Sequence, residues 1–154
     1  MVFNVNLKHR TLLEKIKPQK ITKEGPHAVT GLHYLEPTQN DQLRRPILYV
    51  ITVHAIMSFH IFEKNFPCFF LDRSGGCDLN CSAINDRGEL IVAKSETVHI
   101  FKGEEVRGEH AFPGHKQLVH SFRRYLIVVT AIKTKMTDAK RVEVCIYDNA
   151  NKVC

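Results

Sequence analysis

Short runs of β-branched, aromatic and leucine positions alternate along this chain with clusters of glycine, asparagine, serine and charge. The period is that of strands, and strands are predicted almost throughout. They fall at 28–34, 47–52, 55–61, 68–71, 81–84, 90–93, 97–101, 110–112, 118–122, 125–130 and 142–147. Residues 11–24 have weak helical features, but Pro18 and the density of charge favour a loop there. Asn85-Asp86-Arg87-Gly88 separates two apolar runs and is expected to close a hairpin, with Gly88 at positive φ. Ser74-Gly75-Gly76 and Lys102-Gly103-Glu104 break the chain again.

The runs repeat. Leu48-Tyr49-Val50-Ile51 aligns with Leu90-Ile91-Val92-Ala93, and eleven positions after each leucine stands an aromatic, Phe59 or Phe101. Three positions before each aromatic stands a β-branched residue, Ile56 or Val98. A third copy begins at Leu126-Ile127-Val128-Val129 and ends at Val144-Cys145-Ile146-Tyr147. Its leucine-to-aromatic gap is 21 positions, and the excess is the polar, basic stretch 133–141, as expected of a hairpin insertion. Phe59, Phe101 and Tyr147 are therefore spaced by 42 and 46 positions. A WD40-type propeller blade takes about 40–45 residues and four strands. One predicted strand precedes each leucine run and another follows the aromatic, which makes four per repeat. The leucine runs are apolar at consecutive positions, as strands covered on both faces must be.

Two local marks agree with blades. Gly114-His115 stands just before the first strand of the third repeat, and Tyr147-Asp148 ends its third strand, where WD40 repeats carry Trp-Asp. Gly114, His115, Tyr147 and Asp148 are thus candidate blade signatures, and His115 is expected to make a blade-to-blade hydrogen bond. Ser58-Phe59-His60 and Ile100-Phe101-Lys102 lack the aspartate. The predicted fold class is all-β: about three four-stranded WD40-like blades of an incomplete β-propeller over 26–154, after a basic segment or edge strand at 1–25. Closed propellers have about 4–8 blades. The chain is therefore expected to be part of a larger protein, with open blade faces and a strand edge.

Composition changes this picture little. The 154 residues are 44% hydrophobic and 25% charged, ordinary for a globular domain. The net charge of +6 gathers in two places. One is Lys8, Arg10, Lys15, Lys17, Lys20 and Lys23, set against Glu14 and Glu24; the other is Lys133, Lys135, Lys140 and Arg141. Solvated loop charge explains both, because no nucleic-acid-binding motif accompanies them. The five cysteines are odd in number and follow no basic leader and apolar run, so reduced thiols in the cytosol are expected. No stretch approaches the roughly 20 apolar residues of a membrane helix.

Several segments in series also resemble a known family. They are Ala28-Val29-Thr30-Gly31-Leu32, Leu48-Tyr49-Val50-Ile51-Thr52, the run 72–86 with Gly76-Cys77, Leu79 and Cys81-Ser82-Ala83, Gly114-His115-Lys116, Tyr125-Leu126-Ile127 and Ile146-Tyr147-Asp148. Their order and spacing are similar to the N-terminal propeller of the vacuolar protein sorting-associated protein eleven family, core subunits of the HOPS and CORVET tethering complexes. The first 25 residues match poorly. The resemblance implies a longer architecture, propeller then α-solenoid then zinc-binding RING, and a cytoplasmic role peripheral to late endosomal and lysosomal or vacuolar membranes. Its partners are the other HOPS and CORVET subunits, with membrane reached indirectly.

No constellation of catalytic residues competes with that reading. Cys77-x-x-x-Cys81 can begin a metal site, but no second pair follows, and buried blade-core thiols are the plainer explanation. Pro113-Gly114 interrupts the spacing of His110, His115 and His120. Gly75-Gly76 lacks the lysine and serine of a phosphate loop. The expectation is a non-enzymatic scaffold segment without cofactor, nucleic acid or small-molecule substrate. Its partner contacts are expected in the loop bearing Lys133, Lys135, Lys140 and Arg141. The alternative is the substrate-recognition propeller of a ubiquitin ligase whose RING lies outside this chain.

Overall fold

The computed structural model describes residues 28–36, 45–60, 67–133 and 140–148. The segment 1–25 and Lys135 fall outside them. Eleven strands follow one another: β1 (Val29–Leu35), β2 (Ile47–Thr52), β3 (Ile56–Phe59), β4 (Cys68–Asp72), β5 (Ser82–Ile84), β6 (Leu90–Ala93), β7 (Thr97–Lys102), β8 (Glu105–Ala111), β9 (His115–Phe122), β10 (Tyr125–Lys133) and β11 (Lys140–Asp148). They build three antiparallel meanders, β1-β2-β3-β4, β5-β6-β7-β8 and β9-β10-β11. These are blades 1, 2 and 3, and the third has three strands among the described residues where four are expected.

Local chemistry closes the hairpins. Thr52 is buried at the end of β2, and its hydroxyl oxygen accepts from the amides of His54 and Ala55 at 3.1 and 3.0 Å. Asn85 does the same after β5, accepting from Arg87 and Glu89 at 3.0 and 2.9 Å. Gly88 sits in that turn at φ 69°, as its position requires.

Each leucine found by the repeat lies opposite its aromatic. Leu48 pairs with Phe59, Leu90 with Phe101 and Leu126 with Tyr147. The β-branched positions keep register too, Ile56 opposite Ile51, Val98 opposite Ala93 and Val144 opposite Val129. The three repeats are one ladder used three times.

Blade 2 lies between the others. All four residues of β6 are buried, because sheets cover both of its faces. Tyr49 and Ile51 from blade 1 and Val119, Leu126 and Val128 from blade 3 join Leu90–Ala93 and Phe101 in one apolar cluster. Burying each large side chain there contributes about 1.5–3 kcal/mol. The first strand β5 of blade 2 touches β1 and β9, the first strands of its neighbours. Gly31 on β1 allows the approach, since a Cβ there would lie 2.4 Å from Ser82 Oγ on β5. The far face of blade 3 is open: Leu118, Phe122, Val142, Val144 and Ile146 are apolar and exposed.

Some boundaries differ from the sequence pattern. β8 begins at Glu105 rather than 110, since this outer strand is almost wholly exposed and alternation does not mark it. β9 begins at His115 rather than 118, where a bulge opposite Val129 and Thr130 and the polar Lys116 mask the strand. Part of the predicted contact loop is strand. Lys133 pairs with Lys140 and Ile132 with Arg141, because the β10–β11 ladder runs past the core and lengthens the hairpin.

Candidate functional site

The seams between blades carry the polar chemistry. Between blades 1 and 2, His33 Nε2 and Ser82 Oγ share a hydrogen bond of 2.8 Å. Burial holds the His33 pKa below its ordinary value, which favours the neutral ring. Lys94, in the β6–β7 turn, pairs with Asp72 at the end of β4. Burial alone would raise the Asp72 carboxyl, but the Lys94 ammonium and Ser74 outweigh it and hold it below the usual range. His60 and Glu104 meet at 2.8 Å. The amides of Gly76 and Cys77 donate to the carbonyls of Val53 and Thr52 at 3.1 and 3.2 Å, which straps the β4–β5 connection onto the β2–β3 turn.

Between blades 2 and 3 the central group is Lys116, on β9. The residue is 2% exposed. Its ammonium leaves its own strand and donates to the carbonyl of Ser95 at 2.8 Å and to that of Phe112. Burial lowers the Lys116 pKa, with Glu96 acting the other way. The carbonyl of Lys116 accepts the Cys81 thiol at 3.4 Å, and the Val119 amide donates to Asn80 at 2.8 Å. The chemistry of Lys116 in the sequence, beside Gly114-His115, does not mark it; the bulge opposite Val129 and Thr130 breaks the alternation that would set Lys116 outward from Val119, and turns it inward.

His115 does not make the expected blade-to-blade hydrogen bond. It does face the neighbouring blade, but its Nε2 stands 3.7 Å from Asp78 Oδ2, and its side chain is 62% exposed. The first residue of a strand points outward when the second points in, and here Lys116 takes the inward place. Gly114 turns the chain into β9 at φ 94°. Tyr147 packs on the apolar cluster and beside the His110 ring, 6.2 Å between centroids. Asp148 pairs with Arg124 of the β9–β10 turn at 3.2 Å. Arg141 is exposed and faces Glu143 at 3.6 Å.

Cys77 and Cys81 are buried free thiols, and burial pushes them up to about 12 and about 11. Such groups are neutral and unreactive at pH 7. Among the described residues no three potential ligands gather as a metal site. Cys145 departs from the expectation of reduced thiols, since it is disulfide-bonded. No helix among the described residues is long and apolar enough to cross a membrane.

The seams meet in a cavity of about 120 Å³, at one end of the blades. The β2–β3 turn, the β4–β5 connection, the β6–β7 turn and the head of β9 wall it. A pocket for a cofactor or drug-sized ligand has about 300–1,000 Å³, so this one is scaled to a single side chain.

Antiparallel meanders of four, four and three described strands, packed face to face with their first strands in contact, define a partial β-propeller. The family model for the PEP5/VPS11 N-terminal region matches residues 5–154, and the chain belongs to that family. The vacuolar protein sorting-associated protein 11 homologs of Mus musculus and Homo sapiens are each 34% identical to it over 114 residues. The homolog of Dictyostelium discoideum is 28% identical over 119 residues. The matched regions cover 72% of this chain for the first two and 75% for the third, but 12% of each relative.

Proposed function

We propose that this chain is a non-enzymatic scaffold segment of a vacuolar protein sorting subunit of the HOPS and CORVET type. It supplies protein-binding surface to a complex that docks endosomal vesicles with lysosomes or vacuoles, on the cytoplasmic side and peripheral to the membrane. The family match over 5–154 is the observation that carries this reading. The fold supports it, because the polar groups at the blade seams are engaged in holding blades together rather than gathered around a reacting centre. The high pKa values of Cys77 and Cys81 also suit structure better than catalysis.

The test is affinity capture from cells. The chain is expressed in its native sequence context with a tag, and co-purifying proteins are identified by mass spectrometry. Other vacuolar sorting subunits are expected, and deletion of residues 133–141 is expected to weaken their recovery. Recovery of no sorting subunit would overturn the reading, and undiminished recovery after deletion would remove the loop from it.

A further inference from the structure

The cavity at the blade junction is lined by a buried ammonium that has no ion-pair partner among the described residues. Five ionisable groups line it, Cys77, Asp78, Lys94, His115 and Lys116, together with Val53 and Ser95. Lys94 is neutralised by Asp72. His115 Nε2 and Asp78 Oδ2 face each other at 3.7 Å. Lys116 is different. Glu96 acts on it through charge alone, no carboxylate among the described residues forms an ion pair with it, and its acceptors are two main-chain carbonyls. Carbonyl oxygens solvate an ammonium without cancelling its charge, and an ammonium has three donors. A buried charge in that condition gains strongly from an anion brought beside it.

We propose that the cavity is a socket for one acidic side chain of a protein partner, whose carboxylate accepts from the Lys116 ammonium. The size decides the class of ligand. About 120 Å³ holds a carboxylate and the methylenes behind it, but not a nucleotide or a sugar phosphate. The position suits a partner, since every wall is a turn or a strand head at one end of the blades. The identity of the partner as a protein rests on the protein-binding role proposed above. The socket itself is measured without that partner.

The test uses the 154-residue chain, labelled with ¹⁵N. Glutarate, which presents a glutamate-like carboxylate, and inorganic phosphate are titrated separately at constant ionic strength. Glutarate is expected to shift the amides of Ser95, His115 and Lys116 saturably, and phosphate to shift them less. Val53 is 43% exposed, so it can be changed without disturbing the core. Val53→Glu supplies a carboxylate from within the chain. It is expected to weaken glutarate binding about tenfold relative to Val53→Gln, and to melt at a higher temperature than Val53→Gln. Three results would overturn the socket: no saturable shift with glutarate, equal affinity and equal melting in the two Val53 variants, or a stronger response to phosphate. Each leaves the capture experiment, and so the scaffold reading, standing on its own result.

Discussion

The phenolic O–H of Tyr49, on β2, donates to the carbonyl of Gly103 in the β7–β8 turn at 3.1 Å. Tyr49 is fully buried, and this part-buried bond crosses the seam from blade 1 to blade 2. Tyr49→Phe keeps the ring and removes the donor. It is expected to destabilise by about 1 kcal/mol. Tyr49→Ala also empties the ring site and is expected to destabilise by about 3–5 kcal/mol. Urea denaturation at equal m-values separates the two.

Three glycines rank by what an added methyl would meet. At Gly76 a Cβ would lie 1.7 Å from the Thr52 carbonyl oxygen, which is backbone and cannot move aside. At Gly31 the nearest atom is Ser82 Oγ at 2.4 Å, a side chain that can turn away. At Gly103 nothing lies within 4 Å, but φ is 63°. Gly76→Ala is therefore expected to lose the most stability, Gly31→Ala about 1–3 kcal/mol, and Gly103→Ala about 1 kcal/mol. Thermal melts of the three variants check the order.

Acid should loosen the seams. Burial depresses His33 below 6.5, and it depresses His99 too, with Lys94 adding to the effect and Glu109 and Asp72 opposing. Each ring binds protons more readily in the unfolded chain. Their contribution is therefore complete above pH 6.5 and is lost as pH falls through the folded values. Stability at pH 5.5 is expected below that at pH 7.5, and His33→Gln is expected to flatten the difference. A variant with the full wild-type slope would remove His33 from this account.

Thiol labelling should be selective. Cys68 is exposed on β4, whereas Cys77 and Cys81 are buried. Iodoacetamide at pH 7.5 is expected to modify Cys68 in the folded chain, and Cys77 and Cys81 only in urea. Peptide mapping by mass spectrometry reads the three sites directly.

The repeat was legible because the ladder wrote itself into spacing. A leucine and an aromatic eleven positions apart are opposite partners across a short hairpin, and lengthening the hairpin moves Leu126 and Tyr147 apart without changing their pairing. β8 extends beyond the residues its pattern marks because an outer strand needs no apolar face. The junction cavity was not legible at all. Val53, Asp78, Ser95 and Lys116 are scattered over three blades and meet only through the packing of turns. Lys116 looks like one more surface lysine because the bulge that turns it inward breaks the strand alternation. The importance given to His115 belongs in part to its neighbour.

The central claim is a stack of three blades in which blade 3 keeps an open apolar face. The strands β2, β6 and β10 test it, since each is paired on both sides. Hydrogen bonding is alike in all three, and the covering of their faces differs. Amide hydrogen exchange of the 154-residue chain, resolved to these strands, is the direct measurement. Exchange is expected to be slowest in Leu90–Ala93 of β6 and clearly faster in β10, whose sheet leaves Val144 and Ile146 exposed. Protection of β10 equal to that of β6 would mean that its outer face is covered, and would contradict the open stack.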